Sequence, residues 1–248
     1  MRKRVLQIEL NSVDYAEATT RVVGWANRNE SRYVCVANVH VLMEAYDTPA
    51  FANIVNNADL VTPDGMPLVW MMRMKGVKGQ ERVYGPKLML RVLEAAAQEG
   101  IHVGFYGSKP RVLDSLAKQL QLQYPKLSVA YSHSPPFREL SPEEDASIVS
   151  RINESGARIL FVGLGCPKQE IWMAQHRGRV KAVMLGVGAA FDFLARAKPQ
   201  APAWLQHIGL EWLFRFSTEP RRLWKRYLFH NPRFVALAVA DLLGFFKT

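Results

Sequence analysis

Short apolar runs alternate with amphipathic stretches along most of this chain, and this alternation restricts the possible folds more than any other feature of the sequence. Six runs are apolar enough to be buried strands: residues 4–10, 33–37, 101–106, 127–131, 158–163 and 182–185. Strands that alternate with helices form a largely parallel sheet whose two faces the helices cover. The sequence therefore predicts an α/β fold with a Rossmann-like core.

The starts of several helices are marked by a hydroxyl side chain shortly before a proline. Thr48, Ser108 and Ser141 each stand one or two residues before a proline, a residue that suits the first helical turn. Three acidic residues, 143–145, follow Ser141 in its first turn. We therefore interpret this acidic cluster as charge at a helix N-terminus and not as a metal site.

The segment from residue 203 onward is basic and aromatic. It holds seven Lys and Arg residues against three Asp and Glu residues, with ten aromatic side chains among them. The sequence KPQAP at residues 198–202 precedes it, and the two prolines interrupt the helical pattern. We therefore expect an α/β core over residues 1–200 and a C-terminal helical appendage over residues 201–248.

The composition of this appendage predicts association with a membrane surface. Aromatic rings beside cationic side chains favour the boundary between anionic headgroups and acyl chains. A closing helical hairpin that buries its aromatic residues and turns its arginines to the solvent would have a similar sequence. A transmembrane anchor is disfavoured, because the apolar run 234–246 has only thirteen residues and contains Asp241.

Composition and charge narrow the function classes. Hydrophobic residues at 49% and charged residues at 22% are typical of a globular protein. The N-terminus turns polar before any apolar stretch long enough for a signal peptide, so we expect a cytoplasmic protein. Cys35 and Cys166 form no close-spaced motif, so we expect both thiols to be reduced. The net charge of +10 also suits a nucleic-acid-binding protein, which remains an alternative.

Four strand-to-helix junctions carry unusual residues at the edge where a parallel sheet binds its ligands. One contains Asn38, and another contains Asp64 within the sequence TPDGMP. The other two are glycine-rich, at residues 104–110 and 163–170, and such turns can bring backbone N–H groups to a phosphate. Neither matches the dinucleotide or Walker pattern, and tight turns also use glycine for structural reasons.

Asp64 is the candidate general base. Asp and Gly are favoured in turns, so turn chemistry alone would explain a Pro-Asp-Gly sequence. The apolar segment 66–74 follows at once, however, and could partly desolvate the carboxylate, which would help it to accept a proton. The methionines of this segment have partly helical spacing; they fit a core or an apolar acceptor channel, and a core is favoured.

Six motifs then resemble, in order and spacing, the WecG/TagA/CpsF family of bacterial glycosyltransferases: ADLVTPDGMPLVW, ERVYGPKLM, FYGSKPRVL, FVGLGCPKQEIWM, GVGAAFDF and GLEWLFRFSTEPRRLWKRYLFHNPRF. The resemblance covers nearly the whole chain. It implies a membrane-associated enzyme that moves a hexose, of the N-acetylmannosamine type or another, from a UDP-sugar to an undecaprenyl-diphosphate-linked sugar with inversion, in cell-surface polysaccharide synthesis. It also implies a C-terminal appendage that helps to close the active site at the membrane.

The resemblance also implies site residues. Asp64 matches the family's general base. Contacts to the UDP-sugar donor are expected from six residues: Asn38, Arg82, Gly107, Gly165, Gln169 and Asp192. Contacts to the diphosphates and the acceptor are expected from Arg215, Arg222 and Arg226. One departure is Val36, where many members have threonine, and donor preference could differ for that reason.

The expected chemistry makes two demands on the protein. An acceptor hydroxyl must lose its proton, and negative charge must be stabilised on the departing UDP. Many glycosyltransferases meet the second demand with a metal held by an Asp-x-Asp sequence, which this chain lacks. Because arginines and helix N-termini can do the same electrostatic work, we predict a reaction without metal or cofactor.

The expected partners are the UDP-sugar, the lipid-linked acceptor and an anionic membrane surface at the inner face of the cell membrane. No nucleic-acid partner is expected, and self-association remains open. Two alternatives from other classes stay in view: a nucleic-acid-binding α/β protein, and a basic membrane-peripheral scaffold without catalysis.

Overall fold

The computed structural model describes residues 1–245, apart from the side chains of His207 and Arg226. Its strands are β1 (Arg2–Val5), β2 (Ile8–Asn11), β3 (Arg32–Ala37), β4 (Leu60–Pro63), β5 (Val103–Gly107), β6 (Val129–His133), β7 (Ile159–Gly163) and β8 (Val183–Gly186).

Its helices in the first three quarters of the chain are α1 (Tyr15–Asn27), α2 (Val39–Asp47), α3 (Pro49–Asn56), α4 (Met66–Met74), α5 (Gly85–Glu99), α6 (Pro110–Gln123), α7 (Pro142–Glu154), α8 (Lys168–His176) and α9 (Ala190–Leu194). The later helices are α10 (Ala203–His207), α11 (Glu211–Thr218), α12 (Pro220–Trp224), a π-helical turn (Lys225–His230) and α13 (Asn231–Leu242).

Contacts divide the chain into two compact units. Unit 1 is formed by Met1–Asp14, Val36–Tyr84 and the residues from 200 on, and unit 2 is formed by Tyr15–Cys35 and Gly85–Pro199. The chain thus passes from unit 2 to unit 1 at residue 200. The segment expected as an appendage clusters with the N-terminal residues and with residues 36–84.

The main sheet has six strands in the order β4-β3-β8-β7-β5-β6, flanked by helices. Within unit 2 the pairing is parallel throughout, for example Val34 with Leu185 and Phe105 with Phe161. Connections between parallel strands need a crossover, and here helices supply it. The predicted α/β, Rossmann-like fold with a largely parallel sheet is confirmed.

Two strand predictions need correction. The run 4–10 was expected as one buried strand, but β1 and β2 form an antiparallel hairpin in which Val5 pairs with Ile8. Leu6 takes a positive φ of 54°, as tight two-residue hairpin turns require. The second correction is β4, a fully buried strand that the sequence analysis missed because its four residues end in a proline.

Helix starts follow the predicted pattern most closely at α7. The Ser141 hydroxyl accepts a hydrogen bond from the Glu144 backbone N–H, and the Glu144 carboxylate accepts one from the Ser141 backbone N–H at 2.9 Å. This capping box confirms the acidic cluster as helix N-terminal charge. Helices α3 and α6 begin at Pro49 and Pro110 as expected, although the residue before Pro110 that caps α6 is Lys109 and not Ser108.

The last helix of unit 1 is held by a buried aspartate. Asp241 on α13 accepts a hydrogen bond from the Leu6 backbone N–H at 2.8 Å and forms an ion pair with Lys75 at 2.7 Å. A buried carboxylate is tolerated when it is paired and hydrogen-bonded, and both conditions hold here. None of the helices in residues 1–245 has the length and apolar character that crossing a membrane would take.

Candidate active site

The site in unit 1 is built on the end of β4. The Asp64 backbone N–H donates to the Ala37 carbonyl at 2.7 Å, and the Val83 N–H donates to the Pro63 carbonyl at 2.9 Å. Gly65 then caps α4, whose first turn contains Pro67. Asp64 therefore stands at a strand-to-helix junction, although the strand before it was not among the six predicted runs.

Arg82 binds two carboxylates at once. Its Nη2 donates to Asp64 Oδ1 at 3.0 Å and to Glu211 Oε2 at 2.7 Å, and its Nε also donates to the Asp64 carbonyl. Its guanidinium lies 4.2 Å from the centre of the Tyr84 ring. The three charged side chains are mostly buried, with 11–15% of each exposed. Charge-assisted hydrogen bonds of this kind fix the orientation of the Asp64 carboxylate.

Burial raises the pKa of Asp64, which places its proton affinity above that of an ordinary aspartate. The Arg82 charge works against this rise, the Glu211 charge adds to it, and the Arg215 charge opposes it more weakly. Burial alone would lower the pKa of Arg82, but the charges of Asp64 and Glu211 outweigh it and the pKa is raised. Arg82 therefore stays cationic, while Asp64 is a better proton acceptor than a solvated aspartate.

Glu211 is the site residue that the sequence analysis missed. It opens α11 and is 9% exposed, and Arg215 follows one helical turn later. The signal available was weak: Glu211 is one of only three acidic residues in a strongly basic segment. The other two are also paired, Glu219 with Arg222 and Asp241 with Lys75.

A cavity of about 670 Å³ opens at this cluster, with a polar and an apolar part. Asp64, Arg82, Glu211 and Arg215 line the polar part, together with Asn38. Most of the remaining wall is apolar, and α4 and α13 supply much of it through these side chains: Met66, Trp70, Met71, Met74, Phe234, Val235, Val239 and Leu242. The methionine cluster is thus divided, since Met72 is core while the other three line the cavity.

Gly209 brings the C-terminal segment against α4. It has a φ of +76°, and a Cβ atom there would lie 2.9 Å from Trp70 Cη2 and 3.3 Å from Met66 Cβ. The contact needs both the left-handed backbone and the missing side chain, and glycine alone supplies both. Gly209 therefore sets the position of α11, on which Glu211 and Arg215 lie.

Asn38 has a structural function that is visible in the fold. Its Oδ1 accepts hydrogen bonds from the backbone N–H groups of His40 at 3.0 Å and Val41 at 3.3 Å, so it caps α2. It also lines the cavity. The predicted donor contact by Asn38 would use the same side chain and stays a prediction.

The glycine-rich junctions belong to unit 2. Gly107 has a φ of +119°, and a Cβ atom there would lie 2.6 Å from the backbone carbon of Gly163. Gly165 has a φ of +82°, and apart from its chain neighbours no described residue lies within 4 Å of its Cβ position. Both glycines thus have conformational reasons to be glycine, and the space that the described residues leave at Gly165 has room for a ligand. Their contacts with the donor remain predictions.

Gln169 organises the second of these junctions. Its Oε1 accepts from the Gly165 N–H at 3.2 Å, and its Nε2 donates to Glu170 Oε1 at 2.9 Å. Burial raises the pKa of Glu170 to about 7, although hydrogen bonds from Gln169 and Cys166 lower it in part. The predicted donor residue Gln169 is therefore 4% exposed and already engaged within the loop.

Asp192 has an ionic partner. Its carboxylate pairs with Lys198 Nζ at 3.0 Å. Its backbone carbonyl accepts the N–H groups of Ala197 and Lys198. The pair is partly exposed, with 23% of the Asp192 side chain accessible, and its predicted contact with the nucleotide stays a prediction.

The three appendage arginines differ in their surroundings. Arg215 lines the cavity. Arg222 is half exposed, forms an ion pair with Glu219, and is not among the described residues that line the cavity. The side chain of Arg226 lies outside the described part of the structure. Of the three expected diphosphate contacts, the structure thus brings Arg215 to Asp64.

The aromatic residues of the C-terminal segment are only partly buried. Tyr227 and Phe234 are buried, whereas Trp204, Trp224 and Phe229 are 50–67% exposed. Large aliphatic side chains are exposed beside them, among them Leu228 and Val235. This exposure does not fit a helical hairpin that buries its aromatic face. Exposed apolar side chains of this size mark interaction sites.

Two comparisons with known proteins show the family of the chain. The N-acetylglucosaminyldiphosphoundecaprenol N-acetyl-beta-D-mannosaminyltransferase of Bacillus spizizenii is 27% identical over 205 residues, which cover 82% of this chain and 77% of that protein. The sequence profile of the glycosyl transferase family WecG/TagA/CpsF matches residues 3–247, nearly the whole length. The chain therefore belongs to the WecG/TagA/CpsF family of glycosyl transferases.

Proposed function

We propose that the protein is an inverting glycosyltransferase. It moves a hexose, of the N-acetylmannosamine type or another, from a UDP-sugar to an undecaprenyl-diphosphate-linked sugar in the synthesis of a cell-surface polysaccharide. The observation that carries this proposal is the cavity of unit 1, which combines a charged carboxylate and arginine cluster with an apolar wall. The name of the Bacillus spizizenii relative, whose substrate is such a lipid-linked sugar, supports the same conclusion.

The acceptor fits the two parts of the cavity. Its sugar hydroxyl and diphosphate are polar, and its polyprenyl chain is a hydrocarbon. The volume of about 670 Å³ is in the usual range for ligand sites. We assign the acceptor sugar to Asp64 and the acceptor diphosphate to Arg215, with Arg222 and Arg226 as further cations. The first isoprene units lie along the apolar side chains of α4 and α13.

Asp64 acts as the general base in this proposal. The acceptor hydroxyl oxygen attacks the anomeric carbon, its proton passes to the Asp64 carboxylate, and the bond from the anomeric carbon to UDP breaks. A single displacement of this kind inverts the anomeric configuration. The raised pKa of Asp64 favours proton transfer, and Arg82 keeps the carboxylate oriented. A general base typically contributes about 10²–10⁴ in rate.

The donor is assigned to the junctions at the carboxyl ends of the strands, where ligands of parallel sheets gather. Asn38, Gly107, Gly165, Gln169 and Asp192 are the proposed contacts. The negative charge on the departing UDP is stabilised by cationic side chains, with Arg82 as the first candidate. The chain carries no Asp-x-Asp sequence, so in this proposal no metal ion stabilises the charge on the leaving group.

The exposed apolar side chains of the C-terminal segment support a membrane-peripheral location at the cytoplasmic face. Trp204, Trp224 and Phe229 project apolar surface beside several cationic residues. Such surfaces bind anionic lipid through burial of apolar area together with electrostatic attraction. The acceptor resides in that membrane, so docking brings the cavity to its substrate.

The test is a panel of UDP-sugars offered with a short-chain lipid-diphosphate-sugar acceptor, with the product identified by mass. We expect one UDP-sugar to add one hexose residue to the acceptor. No transfer with any donor, combined with no binding of UDP, would overturn the proposal and favour a scaffold. Salt-sensitive binding of DNA in its place would favour the nucleic-acid alternative.

A further inference from the structure

Three side chains with metal-binding atoms meet beside the cavity of unit 1. His40 and Glu44 lie one turn apart on the same face of α2, and His230 comes from the end of the π-helical turn that precedes α13. One ligand atom from each residue lies within 4.8 Å of the other two. All three residues are partly buried. Positions 40 and 230 are far apart in the sequence, so only the fold brings them together.

The distances are close to those of a zinc site. Zn²⁺ binds imidazole nitrogen at about 2.0–2.1 Å and carboxylate oxygen at about 2.0–2.2 Å, so two atoms on one tetrahedral ion lie about 3.4 Å apart. His40 Nδ1 and Glu44 Oε1 are 3.6 Å apart. The two imidazole ring centres are 5.6 Å apart. The three ligand atoms lie within 4.8 Å of one another, so each separation exceeds the tetrahedral spacing by no more than about 1.4 Å.

The buried Nδ1 atom of His230 is a second observation. This atom is shielded from solvent, and no group in the described part of the chain makes a hydrogen bond to it. A buried polar atom without a partner is unfavourable unless something binds it. Two imidazoles and one carboxylate are a ligand set that zinc accepts, and they leave a fourth position open.

We propose that His40, Glu44 and His230 bind one transition-metal ion of the Zn²⁺ type, and that this ion fastens the C-terminal helices to α2. The neighbouring contacts have the same effect, since Arg233 on α13 forms an ion pair with Asp47 at the end of α2. His40 also lines the cavity, so the ion fixes one part of the cavity wall. Its function is to hold the helices in place, and the sugar-transfer step does not pass through it.

The test is Zn²⁺ binding to the metal-stripped full-length protein, measured by competition with a chromogenic chelator and by thermal unfolding. We expect one Zn²⁺ per chain. At free Zn²⁺ about a hundredfold above Kd, the melting temperature should rise by about 5–10 °C. Mg²⁺ should give no rise, because imidazole ligands favour zinc, copper and nickel over magnesium.

Variants distinguish Zn²⁺ binding at this site from Zn²⁺ binding by other histidines. Glu44→Gln and His230→Gln should each weaken Zn²⁺ binding at least about tenfold, which at the same free Zn²⁺ removes about half or more of the rise in melting temperature. His102→Gln is the matched control, because His102 is exposed on unit 2, and it should bind Zn²⁺ like the wild type. Each variant is compared with its own metal-free state, so a lower starting stability does not obscure the result.

Unchanged binding in Glu44→Gln and His230→Gln, or equal loss in His102→Gln, would overturn the proposal and indicate adventitious binding by surface histidines. The measurement uses no sugar donor or acceptor. Its failure is therefore distinct from a failure of the proposed transferase activity.

Discussion

Replacement of Gly209 by alanine tests how the C-terminal segment is positioned over the site. Alanine at a φ of +76° should cost about 1–2 kcal/mol for the left-handed backbone. The added Cβ would also lie 2.9 Å from the Trp70 ring, and overpacking of this kind costs about 1–3 kcal/mol. We therefore expect Gly209→Ala to lower the free energy of unfolding by about 2–5 kcal/mol.

Gly76 is a matched control for the backbone term. Its φ is +93°, and among the described residues nothing lies within 4 Å of the Cβ position. Gly76→Ala should therefore cost only the backbone term of about 1–2 kcal/mol. The difference between the two variants isolates the contact of Gly209 with Trp70. Each kcal/mol of this difference in unfolding free energy corresponds to about 2–4 °C in melting temperature.

The assay is chemical unfolding of both variants, followed by sugar transfer at a temperature where both are folded. Because Glu211 and Arg215 follow Gly209 on α11, we expect Gly209→Ala to lose turnover and Gly76→Ala to keep it. Equal unfolding free energies for the two variants would refute the packing of Gly209 on α4. Equal turnover would refute its effect on the site.

Three further predictions concern the charges of the site. Burial raises the pKa of Asp64 and the Glu211 charge adds to the rise, so Glu211→Gln should move the acid limb of the pH dependence of kcat/KM to lower pH; an unmoved limb would show that the two carboxylates are not coupled. Transfer should continue in excess EDTA below the melting temperature of the metal-free protein, and a loss of activity that Mg²⁺ or Mn²⁺ restores would show that a metal meets the leaving group. Liposome binding should weaken only modestly in Arg215→Ala, Arg222→Ala and Arg226→Ala, because each charge contributes about 1 kcal/mol to binding at an anionic surface. Turnover on a water-soluble acceptor should fall further, because loss of a positioned diphosphate contact raises the activation free energy by about 2.7–4 kcal/mol. Full turnover in all three variants would show that none of these arginines makes a catalytically important diphosphate contact.

The fold was predictable where local sequence and tertiary structure agree. The strands that became β3, β5, β7 and β8 are apolar runs, as buried parallel strands require. Strand β6 differs, because it lies at the sheet edge, begins two residues later than its predicted run 127–131 and is only partly buried. The hairpin β1–β2 was not predictable, because its two-residue turn at Leu6 lacks the glycine or asparagine that is typical of such turns. Strand β4 is too short for its period to be visible.

The site was predictable at Asp64, because a turn sequence followed by an apolar helix is visible in the chain. The partners of Asp64 were less accessible to sequence reasoning. Glu211 is 129 positions from Arg82, and nothing local distinguishes it from a surface glutamate. The same holds for Asp241, which looked like a polar interruption of an apolar run and is a buried partner of Lys75.

The most direct test of the central claim is the turnover of Asp64→Asn. The variant keeps the size of the side chain and removes its ability to accept a proton as a carboxylate. With the UDP-sugar that the donor panel identifies, we expect binding of the donor and the melting temperature to remain near the wild type, while turnover falls at least about 10²-fold. Turnover near that of the wild type would contradict the account, because the acceptor hydroxyl would then lose its proton without Asp64.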